Sequence, residues 1–398
     1  MQDALPWVGL GVVACLVGIA AHFSKLSHTI FLVVVGLLLS ILKPFDIQLS
    51  KEMILFVFLP PLLFEGSLHM KLEYLRRYAW PIGILALVGT LVSAGLIALA
   101  ARTVLGFGWE SALLLGVILS PTDPVSVLSL FKQHGAPKGL QMILEGESVF
   151  NDGVGIVLYV ILLKALSGEQ VTPIGGTLEF GKIVLGGAAI GLAVGYLAQI
   201  TIDKINDHLT EILISLVCAY GSFVLAETFH FSGVLSTVLA GLVMGNVGLK
   251  HAMSESTREA VLLTWEVLAF MSNSAVFLLI GLSVNIGNLT ASLGLILAAI
   301  AFVLLSRIAV IYGLVPVSNL FLSGQNKVPS AWLHATYWGG LRGAIPIALV
   351  LGLDSQLQAV QNTTLSTIVF GVTIFSIIVQ GVTMQPLMAR LGLSGEKD

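Results

Sequence analysis

The sequence predicts an all-α polytopic membrane protein, and three observations lead to that class. The chain of 398 residues is 56% hydrophobic and only 10% charged, whereas soluble domains are about 25% charged. Apolar windows of roughly 20 residues, the length that crosses a bilayer as a helix, recur along the whole chain. These windows are continuous, whereas the strands of a transmembrane β-barrel alternate apolar and polar residues. We therefore interpret 1–398 as one integral membrane domain.

About 13 helices are expected to span the membrane, and most of their connecting loops are short. The first apolar run follows an acidic N-terminus and is too long for a signal peptide, so it is interpreted as a retained first span. The longest connection, near 167–178, is a polar linker that contains Gly and Pro. The predicted spans are 5–22, 27–42, 52–69, 77–102, 109–132, 139–166, 179–203, 207–229, 232–249, 257–283, 289–320, 329–352 and 361–391.

The loop cations are unevenly distributed, and this predicts the orientation of the chain. Every second loop, together with the C-terminus, forms a basic set: Lys25, Lys71, Arg76, Arg77, Lys132, Lys138, Lys204, Lys250, Arg258, Lys327, Arg390 and Lys397. The other loops hold only Lys43, Lys51, Arg102, Lys164 and Lys182. Because basic loops stay in the cytoplasm, we expect the N-terminus outside and the C-terminus inside.

Two of the predicted spans contain helix breakers near their middle. The span 109–132 contains LSPTDPVS, and the span 329–352 contains YWGGLRGAIP. Proline removes a backbone N–H and clashes with the preceding turn. Unwound backbone at membrane depth is tolerated only where it is buried in protein or lines a watery cavity. Prolines that merely kink their helices are the alternative, but the charged residues Asp123 and Arg342 within the breaks favour a site.

The position of the two breaks predicts internal symmetry. The broken spans are an odd number of helices apart, so they run in opposite directions, as inverted repeats require. We expect inverted six-helix repeats at about 5–166 and 207–391, joined by a connector helix at about 179–203, with two broken, crossing helices. Broken helices at equivalent places in two halves are typical of a transporter binding site near the midplane.

Acidic and polar residues are concentrated within one span, in the segment EGESVFNDGVG at 145–155. Asp152 lies roughly 20 Å into its helix, near the middle of the membrane. Ser148 and Asp152 share a helix face, and the broken span adds Thr122, Asp123 and freed backbone carbonyls. Such oxygen donors suit a hard cation such as Na⁺ or Li⁺, and no His or Cys set has the spacing of a transition-metal site. No resident cofactor is expected.

A buried carboxylate at this depth predicts a simple exchange mechanism. Asp152 can hold a proton or coordinate a cation, but not both at once. A carrier that crosses with H⁺ in one direction and with Na⁺ in the other then exchanges the two ions. Ionisable groups inside a membrane are costly and mark pathways or sites by default.

The remaining buried charges need partners of their own. We expect Glu147 to pair with Arg342, because either charge alone would be costly at this depth. Arg307 is expected to neutralise the carbonyl end of a broken helix or to pair with a carboxylate. Glu65, near the cytoplasmic end of its span, either reaches the cation through a water molecule or lies at the headgroups.

The motifs TDP at 122–124, EGESVFNDG at 145–153 and GGLRGAIP at 339–346 occur together in this order. The combination resembles the monovalent cation/proton antiporters of the NhaP type, relatives of the eukaryotic sodium/proton exchangers. The resemblance covers nearly the whole chain, including PPLLFEG at 60–66 and the SR pair at 306–307.

This resemblance implies a homodimer with an elevator-like movement of a core domain. The compact chain suggests a prokaryotic plasma membrane. The resemblance also implies cation ligands at the Thr122 backbone, Asp123, Ser148 and Asp152, with Glu65 acting through water. Asn151 matches the first position of the family's Asn-Asp pair, where electrogenic relatives have Asp. The resemblance therefore implies electroneutral exchange of one cation for one proton, and it also implies an ion pair between the positions of Glu147 and Arg342.

Three other functions were weighed against sodium/proton exchange. An ion channel would repeat one filter by oligomeric symmetry, whereas the two breaks here differ. An intramembrane aspartyl protease could use Asp123 and Asp152, but the motif contexts of such proteases are missing. A potassium/proton antiporter differs only in the size of its cation site, so the sequence leaves it open. Nucleic-acid partners are not expected.

Overall fold

A computed structural model describes residues 5–23, 27–42, 49–205, 207–322, 324–353 and 359–394. Within these ranges the regular structure is entirely helical, as predicted. The α-helices are α1 Leu5–His22, α2 His28–Leu42, α3 Leu59–His69, α4 Leu72–Arg77, α5 Ala79–Gly83, α6 Thr90–Val104, α7 Trp109–Ile118, α8 Val125–Gln133, α9 Lys138–Leu166, α10 Pro173–Ile202, α11 His208–Thr228, α12 Gly233–Val243, α13 Glu255–Leu282, α14 Ile286–Ala291, α15 Leu293–Ser318, α16 Ser330–Gly339, α17 Ala344–Leu351, α18 Ala359–Phe375 and α19 Gly381–Arg390.

Four π-helical segments interrupt or extend these helices. They are Met53–Phe58 before α3, Ile84–Gly89 between α5 and α6, Met244–Ala252 after α12, and Ser376–Gln380 between α18 and α19. Each segment continues its neighbours, so that α5 and α6 form one run, Ala79–Val104. These segments are not predictable from hydrophobicity, because it does not distinguish a π-turn from an α-turn.

Seven helices within the described ranges are long and apolar enough to cross a membrane. Shorter apolar helices, such as Trp7–Ala21 and Gly233–Leu249, accompany them. Every predicted span coincides with a helix or a run of helical segments. The count of thirteen crossings and the inverted symmetry stay predictions.

Two connections differ from the sequence expectation. The polar linker was predicted at 167–178, but α10 already begins at Pro173. Thr172 caps this helix, because its side chain accepts a hydrogen bond from the backbone N–H of Gly175, and proline suits the first turn that follows. A short helix, Leu72–Arg77, also occupies the predicted loop after α3. Among the loop cations used to orient the chain, Lys25, Lys43, Lys397 and the side chain of Lys250 lie outside the described residues.

The chain divides into two compact units. The first comprises 1–54, 78–151 and 274–398. Its buried apolar side chains include Phe131 of α8, Leu144 of α9, Ala335 of α16 and Met388 of α19. Helices also approach closely at glycines, because a Cβ on Gly116 of α7 would overlap the carbonyl of Ala94 in α6. This first unit contains both broken helices.

The second unit comprises 55–77 and 152–273. Its core packs Phe64 of α3 against Trp265 of α13, with ring centroids 4.4 Å apart. The indole Nε1 of Trp265 donates to the Oγ of Ser215, at 3.0 Å. The division between the two units falls inside α9, between Asn151 and Asp152, so that one continuous helix contributes to both.

Candidate functional site

The first break lies between α7 and α8, and side chains of α9 bind its unwound backbone. The Oδ1 of Asn151 accepts the backbone N–H of Thr122 at 3.2 Å, and its Nδ2 donates to the Thr122 Oγ1 at 2.8 Å. The Ser148 hydroxyl donates to the Thr122 carbonyl at 2.6 Å. All three residues are buried. These bonds satisfy the polar groups that the two prolines exclude from a helix.

The second break lies between α16 and α17, and it contacts the first. The backbone N–H of Asp123 donates to the carbonyl oxygen of Leu341 at 2.8 Å. The two predicted broken helices therefore exist, and their unwound segments touch. Each segment supplies a backbone partner for the other, which is how irregular backbone can be buried at membrane depth.

The carboxylate of Asp123 lies at the N-terminal ends of two half-helices. It accepts the backbone N–H of Val125, the first residue of α8, at 3.0 Å. It also accepts the backbone N–H of Ala344, the first residue of α17. A helix N-terminus carries a partial positive charge, and two of them stabilise one negative carboxylate. A Cβ at position 343 would overlap the Oδ2 of Asp123, so glycine leaves room for this carboxylate.

Glu147 pairs with Arg307, and the predicted partner Arg342 was wrong. The guanidinium of Arg307 contacts both carboxylate oxygens of Glu147, with Nη2 to Oε2 at 2.9 Å. The same Nη2 donates to the carbonyl of Thr336 in the last turn of α16, at 3.0 Å. Arg307 thus neutralises a helix C-terminus and pairs with a carboxylate, which are the two roles that the sequence left open for it.

Local geometry explains why Arg307 takes this place. Its guanidinium lies beside Gly340, where a Cβ would be only 2.6 Å from Nε, so the glycine admits a flat cation between α9 and α16. Arg342 turns back on its own segment instead. Its Nη1 donates to the carbonyl of Gly340 at 3.3 Å, and its backbone N–H donates to the Oγ of Ser376 at 3.0 Å.

A small polar cavity adjoins this ion pair. It holds about 10 Å³, which is room for about one water molecule. Its polar lining consists of Glu147, Arg307, Arg342, Asn151, Thr90, Ser93 and Ser120. The arrangement keeps both guanidinium groups in polar surroundings within a part of the chain that is otherwise apolar.

Asp152 and Glu65 belong to the second unit. Asp152 is buried, 7% exposed, and lies one helical turn after Ser148 on the same continuous helix, α9. Glu65 of α3 has a side chain that is 23% exposed, and its carboxylate lies 3.2 Å from the Nδ1 of His69. Of the predicted site residues, the first unit brings together Thr122, Asp123, Ser148 and Asn151, with Glu147, Arg307 and Arg342 beside them.

Two residues of the first unit were missed by the sequence analysis. Ser376 and Gln380, on the π-helical segment of the last predicted span, bind the second break through side chains that are almost fully buried. The signal was a pair of polar residues one turn apart in an apolar run, SIIVQ. Polar side chains inside a span usually face the protein interior, and this pair therefore indicated a contact.

These features define the class of membrane protein to which the chain belongs. A helical membrane protein in which two discontinuous helices meet around a carboxylate has the architecture of a secondary transporter. The family model described as "Sodium/hydrogen exchanger, transmembrane" matches residues 11–390. The chain belongs to this sodium/hydrogen exchanger family, and it is therefore a transporter and not an enzyme.

Individual relatives agree with the family match. The Na(+)/H(+) antiporter ApNhaP of Aphanothece halophytica is 38% identical over 98% of this chain and 74% of its own length. The Na(+)/H(+) antiporter NhaH of Halobacillus dabanensis is 34% identical, over 94% of each chain. The solved structure of the sodium proton antiporter MjNhaP1 from Methanocaldococcus jannaschii has a TM-score of 0.76 over the full length of both chains, at 20% identity. This last likeness shows a shared fold.

Proposed function

We propose that the chain exchanges Na⁺ or Li⁺ for H⁺ across a bacterial-type plasma membrane. One observation carries the proposal: the Thr122 carbonyl, the Ser148 hydroxyl and the Asp123 carboxylate lie together at the meeting point of the two broken helices. These are hard oxygen donors, and Na⁺ prefers such ligands. The relatives are named as Na(+)/H(+) antiporters, and these names support Na⁺ and H⁺ as the two exchanged ions.

Asp152 is proposed as the group for which the two ions compete. It follows Ser148 by one turn of α9, so its carboxylate points from the same helix face. Burial disfavours a bare carboxylate, which is stable there when it binds a proton or a cation. One group that accepts either ligand, but not both, couples the inward movement of one ion to the outward movement of the other. The water-mediated contribution of Glu65 stays a prediction.

The exchange is proposed to be electroneutral, with one cation for one proton. Asn151 carries no titrating charge, and both ends of its side-chain amide are already bound to Thr122. Asp123 accepts backbone N–H groups at the N-terminal ends of two half-helices, and in this proposal its protonation does not change during the cycle. Asp152 is then the single carrier of a proton at the site. A homodimer with elevator-like movement of a core domain belongs to the same proposal.

The test is exchange by purified protein in liposomes that contain a trapped pH dye. We expect Na⁺ or Li⁺ to change the internal pH whether or not a membrane potential is imposed. Asp152→Asn is expected to abolish the response, because an amide neither carries a proton nor supplies a full negative charge. Parallel additions of K⁺ decide between sodium/proton and potassium/proton exchange.

Three outcomes would contradict parts of this proposal. A response that follows the membrane potential would refute electroneutral exchange. Full activity of Asp152→Asn would remove that residue from its role. Currents far faster than the pH change, without movement of protons, would indicate a channel.

A further inference from the structure

The backbone of the second break makes few hydrogen bonds within itself: the Leu341 N–H donates to the Gly339 carbonyl at 2.9 Å, and the Arg342 Nη1 donates to the Gly340 carbonyl at 3.3 Å. It reads GGLRG at 339–343, and three glycines give it wide conformational freedom. Yet it positions Asp123 through two bonds: the Leu341 carbonyl accepts the Asp123 N–H, and the Ala344 N–H donates to the Asp123 carboxylate. A glycine-rich segment that positions a carboxylate gains from further contacts outside the segment.

Two side chains of the last predicted span supply those anchors. The Oγ of Ser376 accepts the backbone N–H of Arg342 at 3.0 Å, within the break. The Nε2 of Gln380 donates to the carbonyl of Trp338 at 3.1 Å, in the last turn of α16. The hydroxyl of Ser376 also donates to the Oε1 of Gln380. The two residues are 1% and 3% exposed, so water does not compete for these bonds.

The bonds form a chain with one consistent direction. A backbone carbonyl cannot donate, so the amide nitrogen of Gln380 must face Trp338, and its oxygen must face Ser376. The Ser376 hydroxyl then donates to that oxygen and keeps its lone pair for the Arg342 N–H. Each donor on the path therefore has one defined acceptor. These hydrogen bonds hold the backbone at two points, before Gly339 and after Gly340.

The π-helical segment Ser376–Gln380 carries both anchors. π-turns are rare, and they occur mostly as short insertions at functional sites. Here the segment separates α18 from α19 and directs its two polar side chains at the same stretch of α16 and the break.

We propose that Ser376 and Gln380 are positioning residues for ion exchange: they fix the second break and, through Leu341 and Ala344, place the carboxylate of Asp123. This inference rests on the proposed function. Loss of either anchor lets the glycine segment shift, and the Asp123 carboxylate then shifts with it. The cation site is affected in the resting carrier, so the apparent KM for Na⁺ or Li⁺ changes more than the maximal rate does.

The experiment measures exchange in proteoliposomes against cation concentration at fixed pH. Ser376→Ala and Gln380→Met each remove the bond between the two side chains and one bond to the backbone at 338–342. Each is expected to raise the KM about tenfold, the effect of losing that one backbone anchor. Ser376→Thr keeps the hydroxyl and is expected to stay within about twofold of the wild type. Ser376→Cys, with a weaker donor, is expected to fall between these values, and it serves as the second variant where Ser376→Ala does not fold.

Thr383→Val is the matched control. The Thr383 Oγ1 accepts the indole N–H of the same Trp338 at 2.8 Å, but that bond does not reach the break. We expect its KM to equal that of the wild type. Thermal unfolding of every variant separates loss of folded protein from loss of affinity.

Two results would overturn the positioning role. One is an unchanged KM in Ser376→Ala and Gln380→Met while the wild type exchanges ions. The other is a lower unfolding temperature with an unchanged KM in the protein that remains folded, which would make the pair merely structural. Absence of exchange by the wild-type chain would instead refute the proposed function, and this inference with it.

Discussion

A single hydrogen atom in place of a side chain decides where Asp123 can lie. Gly343 immediately precedes α17, and a methyl group at this position would overlap the Oδ2 of Asp123. The carboxylate would have to leave the N-terminal ends of α8 and α17, where it accepts two backbone N–H groups. The charge would then lose stabilisation by both helix ends.

We therefore expect Gly343→Ala to abolish or strongly reduce cation/proton exchange. The measurement is the pH response in proteoliposomes, corrected for the amount of folded carrier. Gly95→Ala is the control, since a Cβ at position 95 of α6 meets no atom within 4 Å. Wild-type exchange by Gly343→Ala would show that the Asp123 carboxylate is not required at the position described.

The buried pair of Glu147 and Arg307 makes a second prediction at this scale. Both side chains are nearly inaccessible, so removing one partner strands the other charge. We expect Glu147→Gln and Arg307→Met each to lower the free energy of unfolding by about 3–5 kcal/mol. The double substitution of Glu147→Gln with Arg307→Met is expected to cost less than the two single losses together, because no charge is stranded.

Thermal unfolding in detergent measures this double-mutant cycle. The carbonyl of Thr336 loses its donor in every variant that lacks Arg307, so some cost remains in the double variant. Arg342→Met provides the contrast, because Arg342 has no bond to Glu147. Strict additivity of the single losses would contradict direct pairing of Glu147 with Arg307.

At residue scale the sequence predicted the members of the site better than their partners. Depth and spacing singled out Asp123 and Ser148, which lie at the first break, whereas the ion-binding roles of these residues and of Asp152 stay predictions. The choice between Arg307 and Arg342 was not predictable in the same way, because both lie deep in apolar spans. The decisive feature is the missing side chain at Gly340, which leaves room for the guanidinium of Arg307. This contact depends on the packing of α15 against α16, which the sequence does not show.

Helices of the second unit pack through glycines that admit a neighbouring backbone. A Cβ on Gly191 of α10 would overlap the carbonyl oxygen of Ser236 and lie 2.8 Å from its Cα, in α12. Gly187 and Gly195, one turn away on either side, are similarly close to α12. Small residues at such spacing allow helices to approach within a membrane, where packing replaces the hydrophobic effect as the driving force.

Gly191→Ala is expected to push α10 and α12 apart and to lower the unfolding temperature. Overpacking of a tight contact costs about 1–3 kcal/mol. Gly181→Ala is the matched control on the same helix, since a Cβ there meets no atom within 4 Å, and alanine favours a helix over glycine. Equal unfolding temperatures of the two variants would show that the close approach does not limit stability.

The sequence predicts helices well where a hydrophobic run defines them. It predicts helix ends less well, because caps and turns determine these. Every apolar span has a helical counterpart, and both proline- or glycine-containing breaks lie where the sequence placed them. The start of α10 differs from the predicted linker at 167–178, because Thr172 followed by Pro173 is a helix-start signal. The π-helical segment that anchors the second break depends on tertiary partners, and no local pattern marks it.

At the scale of the whole molecule, the orientation in the membrane follows from loop charges and awaits a direct test. The loop between α8 and α9 lies in the basic set, next to Lys132 and Lys138. The loop between α9 and α10 belongs to the other set and contains Glu169. The two loops are joined by a single long helix, so they must lie on opposite sides of the bilayer if α9 crosses it.

We expect a cysteine at position 169 to react with a membrane-impermeant maleimide added outside intact cells, and a cysteine at position 133 to react only after permeabilisation. Both Glu169 and Gln133 are exposed in the described structure, so reagent access to each depends on the bilayer and not on burial. Cys15 and Cys218 are first replaced by alanine, and exchange activity is checked in that background. Reaction at position 133 from outside, with protection at 169, would invert the orientation and place the C-terminus outside. Equal reaction at both positions in sealed cells would mean that α9 does not cross the membrane. That result would also remove Asp152 from the midplane, where its competition between proton and cation was proposed to occur.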